Sequence, residues 1–323
     1  MCKLEKSFSF AFMFKISLVL LILTVLLISC SPNSNEKQET PTSGEISIAV
    51  DVSYQPIIQS SIQVFESTYP KAKIHAYYVS ESKAMDLLVK DSVRVAIVPR
   101  LYNEEETRYF ENIKIKPRAT QIAVDAIAFI VHKENPDTAI SYESIKKVLS
   151  GKITSWKDLG RNKNRKDSIT IVFDHPGSSI VAYVLDSINK NEPLPKNSYS
   201  AHTNEKVIDY VSQNKSAIGL IPLAWIADLE DSTANKFLSK IEVVHVIGND
   251  GEYRRPYLYY LQNSEYQFLR NVYALSREAK AGLGTGFVSF LAGKEGQRLI
   301  YKADLLPVHK PIRLVELQTR NLQ

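Results

Sequence analysis

The chain has 323 residues, 44% hydrophobic and 23% charged, a globular composition with length for more than one domain. The formal net charge is only +5, and no dense Lys/Arg block with interleaved aromatics occurs, so no nucleic-acid partner is expected. The six histidines are scattered without H-x-x-x-H spacing, and neither a G-x-S-x-G elbow nor a phosphate-cradling Gly-rich loop is present, so no metal, no cofactor and no enzymatic activity are expected.

The chain starts with a targeting pattern. Lys3, Lys6 and Lys15 make the first stretch positive, and Ile16 to Ile28 is an apolar run too short for a comfortable membrane span. It ends in Leu27-Ile28-Ser29-Cys30, which resembles a bacterial lipobox. The resemblance implies removal of residues 1–29 as a signal peptide and lipidation of Cys30, the alternative being a signal anchor with an incidental cysteine. Cys2 lies in the leader, so the mature chain holds Cys30 alone, which excludes a disulfide and a thiolate metal site. The several acyl chains of a bacterial lipoprotein anchor stably where one would not. Residues 30–44 are polar, without apolar periodicity, and are expected to be a flexible tether.

Beyond the tether, Glu45 to Val50 alternates as a strand, and Ser53 or Tyr54 is expected to cap a helix with the stripe Ile58, Ile62, Phe65 and Tyr69. Pro70 stops it. Ile74 to Val79 reads as a second strand, Ser80-Glu81-Ser82 follows, and a short helix runs through Met85, Leu87 and Leu88. Val93 to Val98 is a third strand ending at Pro99-Arg100, and Glu104 to Phe110 a further helix. This alternation predicts an α/β fold with mostly parallel sheets flanked by helices.

Ile122 to Val131 is long, apolar and contains Asp125; it is expected as a pair of strands crossing into a second lobe. Ser141 caps a helix with Ile145, Val148 and Leu149, and Thr203 one with Val207, Ile208 and Val211. Ala217 to Ile221 is a strand, with Gly219 where a side chain would crowd a neighbour. Ile241 to Ile247 is another, and Arg255 to Leu261 reads as a strand returning to the first lobe, after which the rest is expected to be helical, at Phe287 to Leu291 and then Gln297 to Tyr301. Leu305 to Val308 and Ile312 to Leu317 close the pattern.

Between these lies the most informative stretch. Ile169, Ile171, Val172 and Phe173 form a short apolar run, His175-Pro176-Gly177 is turn chemistry, and Val181, Val184, Leu185 and Ile188 continue at helical spacing. Ser178 or Ser179 stands at the helix start. Free amides and small hydroxyls at the carboxyl end of a strand suit an oxyanion, and they equally make an ordinary capped helix. His175 beside the two serines lacks an orienting acid, so an acyl-transfer pair is not expected.

Several segments together resemble the PstS-like phosphate-binding proteins of ABC transporters, in family order over essentially the whole mature chain. They are Leu149-Ser150-Gly151-Lys152-Ile153 with Trp156-Lys157-Asp158-Leu159, Ser216 to Pro222, and Gly286 to Leu291 with Gly296-Gln297 and Leu306-Pro307-Val308. The resemblance implies a two-lobed type II periplasmic-binding-protein fold with ligand held between the lobes and two crossing strands as hinge. Residues 45–123 plus 254–318 would form lobe 1 and 124–253 lobe 2, with crossings near Ala123-Asp125 and Tyr253-Tyr257. It also implies a lipid-anchored, monomeric solute-binding protein facing the periplasm, with inorganic phosphate or a similar oxyanion as ligand and an ABC transporter permease as partner. The alternative is a relative that has lost phosphate binding and takes another oxyanion or acts as a sensor or scaffold.

The family's second-lobe loop reads Arg-x-x-x-Ser-Gly-Thr. Aligning Ser178 with its Ser puts Asp174 at the Arg position, Ser179 at the Gly and Ile180 at the Thr. The family's acidic ligand acceptor falls near Pro99-Arg100, as though acceptor and cation had exchanged places. The ligand-binding residues expected are therefore Ser53, Tyr54, Ser80, Ser82, Ser178 and Ser179 as donors, Arg100 as cation, and Asp174 or Asp51 as acceptor of the ligand's proton. Asp174 could instead pair with a lysine, the serines could be caps, and Trp156 is expected in the core.

Overall fold

The computed structural model describes residues 39–159 and 164–309. The signal-peptide, lipidation and tether assignments up to residue 38, and the expected segment Ile312 to Leu317, lie outside the described residues.

β1 (Gly44–Asp51) forms because Ile46, Ile48 and Val50 alternate toward one apolar layer. A single 3-10 turn, Val52–Tyr54, leads into α1 (Gln55–Thr68), which buries Ile58, Ile62 and Phe65. Phe65 meets Phe287 and Phe290 edge-on, with ring centroids 5.3 Å apart in each pair. β2 (Ala72–Val79), α2 (Glu81–Val89), β3 (Val95–Val98) and α3 (Glu104–Asn112) follow. All of β3 is buried, as a central strand must be when both faces are covered. β1 pairs in parallel with β2 and β3, as the alternation predicts.

β4 (Arg118–His132) is one 15-residue strand rather than the expected pair. Its first part pairs with β12 up to Ala126; from Ile127 onward it pairs with β8 and β9. An apolar run with no turn residue had nothing to break it, and one strand therefore belongs to two half-sheets. β5 (Ala139–Ser141), α4 (Tyr142–Leu149), β6 (Thr170–Phe173) and α5 (Ser179–Tyr183) come next, α5 continuing as a π-turn through Ile188. Ser141 accepts from the Ser144 amide at 3.1 Å, the cap expected of it. Trp156 is buried under the Arg165 guanidinium, 4.0 Å from its ring centroid.

β7 (Ser198–Ser200), α6 (Asn204–Gln213, capped by Thr203), β8 (Ala217–Pro222) and α7 (Ser232–Leu238) complete this half. The expected strand Ile241 to Ile247 is broken at Val244 into β9 (Ile241–Val243) and β10 (His245–Ile247), which join different sheets. β11 (Tyr253–Arg254) pairs with β10. The expected returning strand at Arg255 to Leu261 is instead α8 (Leu258–Gln262). The return is made by β12 (Leu269–Ser276), within a stretch expected to be helical. α9 (Leu283–Ala292), α10 (Lys294–Lys302) and β13 (Leu306–Pro307) close the described chain. β13 pairs with β4 at Val124 and Ala123, and α9 packs on β1 and α1.

The main sheet runs β2-β1-β3-β12-β4-β8-β6-β7. The chain passes between its halves at two adjacent places. One is Ala126–Ile127 in β4, and the other is Tyr266 to Leu269, where the Ile127 amide donates to the Phe268 carbonyl at 2.9 Å and the Tyr266 hydroxyl to the Ile127 carbonyl at 2.8 Å. The second lies about a dozen residues later than the sequence suggested, because α8 intervenes.

Gly219 sits where β8 passes under α6. A Cβ there would come 2.7 Å from Val211 Cγ2 and 2.8 Å from Ile130 Cγ1, branched side chains with no room to turn. Gly219→Ala is expected to lower stability by about 1–3 kcal/mol through overpacking. Thermal unfolding followed by circular dichroism checks this, and an unchanged melting temperature would contradict the packing.

Candidate functional site

Four backbone segments meet at one buried point. β1 ends at Asp51, whose Oδ1 accepts from the Ser53 amide at 2.7 Å and so closes the 3-10 turn that carries Ser53 and Tyr54. β6 ends before Asp174 and the His175–Gly177 turn that carries Ser178 and Ser179. β4 supplies Asp125 just before it changes half-sheet, and β12 supplies Arg270, the direct cross-strand partner of Asp125.

The contacts form a chain. Arg270 Nη2 donates to Asp125 Oδ2 at 2.5 Å and Nη1 to Ser179 Oγ at 2.9 Å, and Ser179 Oγ lies 3.1 Å from Ser53 Oγ. The Arg270 guanidinium also stands 5.7 Å from the Tyr54 ring centroid. One hydroxyl from each half-sheet therefore meets over one guanidinium. Arg270 is 4% exposed, and Asp51, Ser53, Asp125, Asp174 and Ser179 are at 0 or 1%.

Several polar atoms in this cluster have no hydrogen-bond partner among the described residues. They are Arg270 Nε, the Tyr54 hydroxyl, Asp51 Oδ2, Asp125 Oδ1 and both oxygens of Asp174. An unmade bond at a buried polar atom costs about 1–3 kcal/mol, so a set of them on one spot marks a place built for a polar guest.

Charge is unevenly distributed. Burial pushes the Asp51 carboxyl up to about 6, with Ser53 and Arg270 pulling the other way. Burial raises Asp125 against the pull of Arg270, and raises Asp174 against the nearby Ser178 hydroxyl, which leans toward that carboxyl without completing a well-formed bond. Burial works against the charge of Arg270, but Tyr54, Asp125 and Asp51 outweigh it and hold the guanidinium protonated. The cluster combines a permanent cation, hydroxyl donors and carboxyls able to accept a proton.

The expected site residues divide. Ser53, Tyr54, Asp174, Ser178 and Ser179 converge on the cluster or its rim. The expected cap by Ser53 or Tyr54 is not made: Tyr54 holds the cap position without a side-chain bond, while Ser53 turns to Ser179. Ser178 does cap, accepting from the Val181 amide at 3.4 Å. No lysine pairs with Asp174 among the described residues. Ser80 and Ser82 bond one another at 3.3 Å, and a Cβ on Gly177 would come 3.5 Å from Ser82 Oγ, so Ser82 stands beside the His175–Gly177 turn.

Arg100, expected as the cation, lines the cavity beside Arg270 but is held by carboxylates. Its Nη1 and Nη2 make a bidentate pair with Glu106, each bond 2.8 Å, and its Nε donates to Glu81 at 2.7 Å. Its charge is already matched by two carboxylates. The cation on the cluster is Arg270, which sequence reasoning missed. A signal existed: Arg270, Val272 and Ala274 alternate and are all buried, so a lone arginine occupies an inward strand position. Reading that stretch as helical concealed it.

Among the described residues no group of His, Cys, Asp and Glu could hold a metal ion. A cavity of about 380 Å³ opens from Arg270 and Ser179 toward Glu81, Arg100, Tyr183 and Asp186.

The chain belongs to the PBP superfamily domain family, whose model matches residues 35–295. It is similar to the phosphate-binding protein PstS of Bacillus subtilis, 24% identical over 268 residues, covering 81% of this chain and 80% of the relative. Among solved structures it is similar to a candidate phosphate ABC transporter substrate-binding protein of Clostridium perfringens with bound phosphate. That match is 25% identical with a TM-score of 0.70, covering 82% of this chain and 100% of the other. An ABC-type phosphate transport receptor of Vibrio cholerae shares the fold at 17% identity and a TM-score of 0.63, covering 82% of this chain and 100% of the other.

Because burial raises the Asp51 carboxyl from 3.8 to about 6, the folded state binds its proton more tightly than the unfolded state. That contribution is fully present below the unfolded value and is lost as pH rises through the folded one. Asp125 and Asp174 act with the same sign. Unfolding free energy is expected to fall between about pH 4 and pH 6, the Asp51 share being on the order of 2–3 kcal/mol. Asp51→Asn should flatten the decline in denaturant titrations across that range; an unaltered slope would remove Asp51 as its source.

Proposed function

We propose that this protein is the solute-binding component of an ABC importer and captures an oxyanion, with inorganic phosphate the expected ligand, between its two half-sheets. The observation that carries this reading is the convergence of Ser53, Ser179 and Arg270 from opposite sides of the cleft. Arg270 provides the charge, Ser53, Ser179 and the Tyr54 hydroxyl donate, and Asp51 or Asp174 accepts a proton from the ligand. Fixed donors replace the anion's water without having to reorganise, and bonds to a charged ligand are the strong ones. The names of the relatives support phosphate and import.

In this reading the described residues up to Ala126 and from Leu269 onward act as one lobe and those between them as the other, with Ala126–Ile127 and Tyr266–Phe268 as the paired hinge. The protein acts outside the cytoplasmic membrane, as a monomer held by lipid on Cys30 after loss of residues 1–29. An unmodified Cys30 in mass spectra of the native N-terminus would rule out the anchor.

A second reading has a specific observation in its favour. The resemblance puts Asp174 at the position of the family's arginine, and three buried carboxylates, Asp51, Asp125 and Asp174, lie near one guanidinium. A chain that had lost phosphate binding and acts as a sensor or scaffold would look like this too. Calorimetry with phosphate and sulfate separates the readings. Phosphate is expected to bind and sulfate not, because a carboxylate acceptor rejects an anion without a proton. Ser53→Ala and Ser179→Ala should each weaken phosphate by about 1.5–3 kcal/mol. Asp174→Asn should relax the preference over sulfate, since an amide can also donate. A wild type that binds neither anion, with Asp174→Arg gaining phosphate, would favour the scaffold.

A further inference from the structure

The cavity that opens from Arg270 and Ser179 is larger and more acidic than a bare oxyanion needs. At about 380 Å³ it falls within the ~300–1,000 Å³ range of pockets for organic ligands. At about 30 Å³ per water, it has room for roughly a dozen. Its inner wall is Arg270, nearly fully buried with Nε unpartnered, and Ser179. Its outer wall carries Glu81, Asp186, Tyr183 and Tyr273.

The charges do not balance in favour of a dianion. Of the two arginines on the wall, Arg100 is taken by the bidentate Glu106 pair and Arg270 is paired with Asp125. Glu81 shares Arg100 through one bond at Nε and is held above its ordinary pKa, chiefly by burial, with the Asp186 charge adding to it. Asp186 makes no ion pair among the described residues, and Asp51 lies buried behind Arg270. Two carboxylates therefore line the same cavity as two tyrosines, near enough for the Asp186 charge to act on Glu81. Carboxylates with aromatic faces at hand are the surroundings an ammonium group requires.

We propose that the cleft takes an oxyanion bearing a cationic arm, an aminoalkyl phosphate or phosphonate, with its phosphoryl group on Arg270, Ser179 and Ser53 and its ammonium between Glu81, Asp186 and the tyrosines. The inference rests on the oxyanion reading of the inner cluster and extends the ligand outward from it. Inorganic phosphate is then a fragment that fills the inner half only.

Three probes distinguish the two levels: inorganic phosphate, glycerol 3-phosphate as a neutral arm of similar size, and phosphoethanolamine. Calorimetry uses the full chain in detergent. Phosphoethanolamine is expected to bind at least about fivefold more tightly than glycerol 3-phosphate, an advantage of about 1 kcal/mol for a partly exposed charge pair. The ratio of the two affinities should fall toward one in Asp186→Asn. Equal affinities, or phosphate binding without phosphoethanolamine binding, would overturn the cationic arm and leave the oxyanion site standing. If none of the three binds, both readings fall. A preference that survives in both Asp186→Asn and Glu81→Gln, each confirmed folded by thermal unfolding, would overturn the assignment of the arm to these carboxylates.

Discussion

Everything at the centre of this protein depends on the buried pair Arg270–Asp125. A guanidinium with 4% exposure is tolerable only if its charge is met, and the cross-strand register of β12 on β4 delivers the matching carboxylate. A buried ion pair is weak evidence of stability in itself, since desolvation offsets the attraction. Its effect is positional. Breaking either side would leave an uncompensated charge in the interior, a loss of about 3–5 kcal/mol. The pair therefore holds β12 against β4 at the place where β4 passes from one half-sheet to the other.

That placement decides what else can happen at the site. Asp125 takes one edge of the guanidinium, and Ser179 draws the His175–Gly177 turn onto another. Ser53 then reaches Ser179 from the far half-sheet, and the Trp225 indole donates to the Val52 carbonyl at 3.2 Å beside it. Among the described residues the chain passes between the halves here, through β4 and the Tyr266–Leu269 return. In the proposed reading, a ligand that competes for the Ser53, Ser179 and Arg270 bonds would act directly on contacts that span the two halves, and binding would be coupled to their relative movement through the same few atoms.

Buried carboxylates set the surroundings of Arg270. Asp174 stands where the resemblance places an arginine, and its carboxyl is buried without a formed hydrogen bond. Arg100, which could have restored the positive charge, is consumed by Glu106 and Glu81 instead. Glu106 does two things at once. It completes the capping box of α3 with Asn103, and it clamps Arg100, so the cation is held by an element whose own helix start needs that glutamate.

Local chemistry settled much of this architecture in advance. Alternation in Ile46, Ile48 and Val50, caps at Ser141 and Thr203, and the Phe173-to-Ser178 strand–turn–helix were legible because each is decided by residues within a few positions. The motifs from Leu149, Ser216 and Gly286 likewise carried the family, and Ser53, Asp174 and Ser179 were recognisable as groups at strand ends. Only the tertiary structure decided which of them act together. The long apolar run of β4 could be divided or continuous, and pairing with β12 and β8 made it continuous. Arg255 to Leu261 has strand-like composition, but the return is accomplished by β12, so packing overrode local preference. Arg100 and Arg270 are both lone arginines near apolar strands; what separates them is which carboxylates reach each one, a property of contacts between residues up to 145 positions apart. Sequence determined the elements and the class of chemistry they present, whereas the position of the charge was set by long-range register, which no local pattern encodes.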